Sequence, residues 1–321
     1  MQINKLSIYF TYALLLNFLW SYSQELPPII KYTKANYEAG NQNWMISQDK
    51  NQYIYFANHE GLLEFNASSW LLYPSPNETI IRSVKVVNDK IYTGCYMEFG
   101  FWKRQDDGKL KYNSLSKTIK SKLLNDEIFW NIINYDQWVI FQSLNRIYIY
   151  DSQTGFFKII ASKRGITKSY RTNNSIYFQS LNEGLYEIES GKSKLISDSE
   201  ILKKNRIVNV FSIDEGLLID TEFNGFYTLI NNVLSKFSTD ADSELESTSV
   251  YSCIRLSGGS FAIGTVSNGV FILTKEGKVK YHITQINGLT NNTALSLFED
   301  FDKNLWVGSD NGINCLNLLS P

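Results

Sequence analysis

The sequence predicts an all-β fold, a seven-bladed β-propeller closed by an N-terminal strand that completes the last blade. Three observations predict it: a strand–turn–strand unit recurs along the chain, its turn glycines keep a near-constant period, and the final unit ends one strand short. Gly184, Gly225, Gly269 and Gly312 fall 41, 44 and 43 residues apart, the period of one four-stranded blade. Aromatic residues make up 14% of the chain, a composition that favours pleated, half-buried strands.

Residues 1–23 read as an export signal. Lys5 is a short positive region, residues 6–20 are mostly apolar, and Ser21 and Ser23 are small residues placed for cleavage before Gln24. The apolar run is shorter than the roughly 20 residues of a membrane-spanning helix. The expected domains are therefore a signal peptide at 1–23 and a propeller domain at 24–321. Export with only three cysteines points to a periplasmic address rather than a disulfide-rich scaffold.

Residues 27–32 precede the first unit as 279–284 precede the last, so they are expected to supply the missing strand. Units then follow around 53–63, 91–102, 140–148, 177–186, 207–229, 250–273 and 295–316. Asn-Gly pairs at 224–225, 268–269 and 311–312 supply the positive φ that tight hairpins demand. Fourth strands are read at 70–73, 156–160, 233–237 and 279–283. The last unit stops after its third strand at Leu316, and borrowing a strand from the N-terminal end removes two open edges.

Each strand reverses the chain, so the turn between second and third strands lies on the same face as the connection to the next blade. Candidate ligand-binding residues are those at this mouth. The turns offer His59 and Glu60; Tyr96, Glu98 and Phe99; Asn145 and Arg146; Asn182 and Glu183; Glu222; Asn268; and Asp310. The starts of the innermost strands offer Trp44, Arg82, Trp130, Arg171 and Arg206. Amides, carboxylates, guanidinium groups and flat rings together suit a small-molecule or oligosaccharide ligand. Turn geometry by itself accounts for many of the asparagines. It does not require Trp130, Arg82, Tyr96 or Glu98.

Other chemistries find little support. A net charge of −1 and no basic cluster argue against nucleic-acid binding. The two histidines, His59 and His282, fall on a turn and an outer strand and make no metal pair. No nucleophile elbow, zinc-protease helix, phosphate loop or dinucleotide fingerprint is present. Residues 300–304 resemble the start of a calcium loop, but Leu305 stands where glycine is needed and no glutamate occupies the twelfth place; they read as a hairpin turn. Cys95, Cys253 and Cys315 are expected to be buried small hydrophobes. No cofactor, no metal and no catalytic residue is expected. Glu60 and Glu98 leave a carboxylate pair conceivable, so a polysaccharide lyase or glycosidase stays as an alternative.

Residues 298–313, with Asp300, Leu305, Trp306, Val307, Gly308 and Gly312 in order, resemble the two-component-regulator propeller repeat. Ser309 and Ile313 replace its usual threonine and leucine. More narrowly, residues 72–80, 94–100 and 143–150 resemble the N-terminal sensor propeller of Bacteroidetes regulators. That resemblance implies a non-catalytic, extracytoplasmic sensor followed by a three-tyrosine domain, a membrane helix and a helix-turn-helix or histidine-kinase output. Its implied partners are an oligosaccharide or other small ligand, downstream domains of the same regulator, and a second copy in a homodimer. A protein-interaction scaffold is the other alternative.

Overall fold

Strands of the propeller form because apolar side chains alternate along each run and glycine- or asparagine-bearing turns end it. The computed structural model describes residues 26–320; the export signal read at 1–23 lies outside them. Seven four-stranded antiparallel sheets follow one another along the chain. We number the blades by their innermost strands: Asn43–Gln48, Ser83–Val87, Asn131–Tyr135, Ile166–Arg171, Ile207–Ile213, Val250–Arg255 and Ala294–Glu299. Each of these strands packs against its counterpart in both neighbouring blades, which closes the circle.

Blade 7 is completed as the sequence predicts. The strand Ile29–Tyr32 lies antiparallel to Ile313–Asn317, with Ile29 opposite Leu316 and Tyr32 opposite Ile313. At this seam Tyr32 packs its ring 5.4 Å from Phe65, 5.2 Å from Trp70 and 5.9 Å from Trp306. Side chains from blades 7 and 1 thus share one core.

The core as a whole is divided into seven clusters, one between each pair of neighbouring blades. Strand alternation explains the division. Leu217 and Ile219 pack toward blade 4, while Leu218 between them packs toward blade 6.

Inner-strand serines hold the blades together. Ser83 Oγ donates to the Phe129 carbonyl at 2.8 Å, and Ser296 Oγ to the Asn43 carbonyl at 2.9 Å. Beside the second contact lies Gly308, where a Cβ would come within 2.3 Å of Ser296 Oγ and 2.8 Å of the Asn43 oxygen. The repeat needs glycine there because two blades approach so closely.

Short helices that the periodicity did not foresee occupy blade-to-blade connections: α1 (Lys34–Tyr37), α2 (Glu200–Lys204) and α3 (Asp242–Ser247), with a 3-10 turn at Ser116–Lys122. Tyr37, Leu202 and Leu245 anchor α1, α2 and α3 in the core. Among the described residues no helix is long and apolar enough to cross a membrane. The three cysteines are free and buried, and burial pushes the Cys95 thiol up to about 11 and Cys315 to about 12.

Candidate ligand site at the shaft mouth

Trp44, Arg82 and Trp130 come from the starts of three consecutive innermost strands. Asn43 pairs with Asn58 and Met45 with Ala57, so Trp44 is the extra residue of a β-bulge. A bulge re-aims one side chain, and here it aims the indole at blade 2. The Arg82 guanidinium lies between both rings, its Cζ 4.1 Å from the Trp44 centroid and 4.7 Å from that of Trp130. Each such cation–π contact contributes about 0.5–2 kcal/mol.

Three donors in this stack are buried with no hydrogen-bond partner among the described residues: Trp44 Nε1, Arg82 Nη1 and Trp130 Nε1. Buried polar groups are nearly always paired in native proteins.

Arg82 also borders a cavity of about 520 Å³ between blades 1 and 2, together with His59, Glu60, Glu78, Thr79 and Tyr96. His59 Nδ1 stands 3.2 Å from Gln42 Oε1. Tyr96 donates its hydroxyl to Asp126 Oδ1 at 2.7 Å, and that carboxylate raises the phenol pKa. Four of the residues expected from sequence, His59, Glu60, Arg82 and Tyr96, therefore line one cavity, with Trp44 and Trp130 flanking Arg82.

Two expectations are corrected. Phe99 is fully buried between blades 2 and 3, its ring 4.4 Å from Phe141 and 4.6 Å from Phe129; strand alternation turns it into the core. Arg171 is the last residue of its innermost strand, not an early one. It stands at the opposite end of the shaft, 3.3 Å from Asn134 Oδ1. Gly165, at φ 92°, starts that strand sooner than residue chemistry suggested.

The remaining expected residues lie outside the lining of this cavity. Glu98 Oε1 accepts from Tyr112, Ser114 and Ser116 hydroxyls at 3.0, 2.8 and 2.7 Å. Arg146 points to the Lys122 carbonyl and Asn145 is exposed. Asn182 takes a left-handed φ of 59°, and Glu183 accepts from Ser180 Oγ. Glu222 accepts from Ser249 Oγ at 2.8 Å, and Asp310 from Gln42 Nε2 at 2.6 Å. The Asn268 carbonyl receives His282 Nε2 at 2.9 Å. Arg206 is exposed, just before the innermost strand of blade 5.

Sequence reasoning missed part of the shaft wall. Lys168 falls where the register of its strand shifts, and Asp220 lies buried, its carboxylate oxygens without a hydrogen-bond partner among the described residues. Burial pushes Asp220 up to about 8; burial and Arg206 push Lys168 down to about 8. A second cavity, about 590 Å³, opens between blades 3 and 4 and is lined by Tyr135, Trp138, Phe156, Lys158 and Glu187. It belongs to the opposite face, and the aromatic pair flanking a two-residue turn at 135–138 was its signal. Among the described residues, no three His, Cys, Asp or Glu side chains group closely enough to hold a metal ion.

Comparison with known proteins adds one decisive match: residues 288–311 fit the family described as two component regulator propeller. The last blade is a regulator-propeller repeat. Its residues have visible duties, since Asp300 Oδ2 accepts from Trp306 Nε1 at 2.7 Å and from Asn304 Nδ2 at 3.0 Å. Asp300 thus fixes a hairpin turn and an inter-blade ring together. The chain is similar to the extracellular domain of a B. thetaiotaomicron protein described as a one component system. That likeness has a TM-score of 0.71 and 20% identity over 93% of this chain and 40% of the other. The extracellular domain of a B. thetaiotaomicron hybrid two component system gives 0.69 and 17%, over 92% and 42%. Virginiamycin B lyase from Staphylococcus aureus gives 0.71 and 15%, over 91% and 99%. At these identities the likeness establishes the propeller, and this chain spans about two fifths of the regulator domains. No curated protein matches the sequence.

Proposed function

We propose that this chain is the extracytoplasmic, ligand-sensing propeller of a transmembrane signalling regulator, exported to the periplasm and non-catalytic. Its ligand is a hydroxyl-rich molecule of carbohydrate type, held at the shaft mouth. The observation that carries this reading is the Trp44–Arg82–Trp130 stack, whose Arg82 borders a cavity large enough for a small saccharide. The regulator-propeller repeat in blade 7 and two extracellular regulator domains among the structural neighbours support it.

A lyase or glycosidase would need an acid and a base poised around a bond. In this cavity His59 faces an amide and Glu60 lies 3.9 Å from Lys34, so neither is held by a second catalytic group. The test is a calorimetric screen of oligosaccharides against the protein and its Arg82→Ala variant. Saturable binding lost in the variant, with the sugar recovered intact, is the expected result. Product formation would replace the sensor reading with the enzyme, and binding unaffected by the variant would remove the mouth as the site.

A further inference from the structure

Asn77, Gln42 and Asp126 decide which way the hydrogens point around the cavity between blades 1 and 2. Asn77 Nδ2 donates to the Tyr96 backbone carbonyl at 2.7 Å, and a carbonyl can only accept. The Asn77 amide is thereby oriented with Oδ1 toward Ser75 and Thr79, whose hydroxyls donate to it at 3.2 and 2.7 Å. Gln42 is fixed in the same way. Its Nε2 donates to the Asp310 carboxylate at 2.6 Å, so Oε1 is the atom that stands 3.2 Å from His59 Nδ1. An amide oxygen has no hydrogen to give. His59 must therefore carry its own on Nδ1, and the neutral ring leaves Nε2 as an acceptor. Tyr96 gives its hydroxyl hydrogen to Asp126 Oδ1 at 2.7 Å.

His59, Ser75, Thr79 and Tyr96 all line the cavity. Each has its side-chain hydrogen committed within the protein and keeps only lone pairs for an occupant. The two carboxylates in the lining, Glu60 and Glu78, also only accept. Among the described residues that line the cavity, Arg82 is the one cation. Glu78 stands in the same lining and forms no ion pair among the described residues, while Glu60 has Lys34 at 3.9 Å. The lining thus presents acceptors at every polar side chain but Arg82, and it holds no surplus of positive charge.

We infer that the mouth selects a neutral saccharide with unsubstituted hydroxyls, which donate their hydrogens to acceptors such as His59 Nε2 and the Tyr96 hydroxyl oxygen. The Arg82 guanidinium takes a ring or glycosidic oxygen of the same molecule. This rests on the mouth as the binding face and narrows the ligand held there. A sugar position without a hydroxyl hydrogen sets lone pair against lone pair, and a site that hydrogen-bonds a hydroxyl strongly rejects the analogue lacking it. A uronate or sulfate group would bring further negative charge beside Glu60 and Glu78, and like charges in contact oppose binding.

Two measurements test the inference. Nitrogen NMR of the isotope-labelled full chain at pH 8 reads the tautomers of its two histidines, His59 and His282, with His59→Ala supplying the assignment. His59 should hold its hydrogen on Nδ1, and Gln42→Leu should release it to a mixture of tautomers. A hydrogen found on Nε2 would overturn the acceptor assignment without any ligand being present. Calorimetry then compares maltotriose, cellotriose, mannotriose and xylotriose with trigalacturonate, and the tightest binder with its monodeoxyfluoro derivatives, in which fluorine replaces a hydroxyl at similar size but cannot donate. A neutral trisaccharide should bind, with trigalacturonate and at least one fluoro derivative weaker by about 10-fold or more. Tyr96→Phe, which keeps the ring and removes the oxygen, should weaken the neutral sugar about 5-fold. Asp126→Ala frees the Tyr96 hydrogen to donate and should narrow the preference for hydroxyl over fluorine. Arg82-dependent binding in which the acidic sugar or every fluoro derivative matches the neutral parent would keep the mouth as the site and sink this inference. Binding that Arg82→Ala leaves unchanged, or no binding by any of these sugars, would remove the mouth as a saccharide site and this inference with it.

Discussion

Ser296 donates its hydroxyl to the Asn43 carbonyl across the seam where the last blade meets the first, at 2.9 Å and 253 positions apart in the chain. The bond forms only because Gly308, on the neighbouring strand, has no Cβ to intrude. A backbone carbonyl cannot step aside as a flexible side chain can. Gly308→Ala is therefore expected to cost about 3 kcal/mol through overpacking. Ser296→Ala, which removes one hydrogen bond, should cost about 1 kcal/mol. Urea unfolding of both variants checks the order.

Ring closure depends on Tyr32, whose ring meets Phe65, Trp70 and Trp306. Tyr32→Ala should lose about 3 kcal/mol. The neighbouring exposed Lys31 should tolerate alanine within about 0.5 kcal/mol. Equal losses at the two sites would mean that the borrowed strand contributes only backbone pairing.

Asp300 collects the Trp306 indole N–H, the Asn304 side chain and the Asn304 backbone N–H. Asp300→Ala leaves these donors unpaired, the Trp306 indole N–H among them in the core, and is expected to cost about 2–3 kcal/mol. Trp306 fluorescence during unfolding should show a lowered midpoint with an unchanged native fold.

The pH dependence of stability should carry two opposite slopes. Asp220 holds its proton up to about 8 in the folded chain against an ordinary 3.8. The unfolded state loses that proton first, so stability falls as pH rises from about 4 toward 8. Lys168, at about 8 against an ordinary 10.5, releases its proton earlier when folded. The unfolded state then binds more protons, and stability recovers between about 8 and 10.5. Asp220→Asn should remove the first slope and raise the denaturation midpoint at pH 8; a variant that follows the parental profile would place the titration elsewhere.

Cys95, Cys253 and Cys315 are buried, with thiol pKa values raised by burial. A thiol-specific chromogenic reagent at pH 8 should label none of them in the native protein and all of them in denaturant, because the thiolate is the reacting form. Rapid native labelling would reveal local opening of a blade.

The blade period and the short last unit were legible because turn glycines and alternating strands are local properties, set by φ angles and by side-chain parity. The face that carries the turns between second and third strands was legible for the same reason, and His59, Glu60, Arg82 and Tyr96, all read onto that face, line one cavity. Phe99 and Arg171 misled because one residue of strand phase reverses the face, and one misplaced strand start reverses the end of the shaft. Lys168 and Asp220 stayed invisible because each looks ordinary among its own neighbours in sequence.

The sequence by itself determined seven units, their turns and the origin of the closing strand, since each rests on contacts within about 45 residues or on counting. Tertiary structure decided which side chains share a cavity and which rings enclose the Arg82 guanidinium. Those relationships join blades that are distant in sequence, and bulges and blade spacing, features with no composition of their own, set the distances between them.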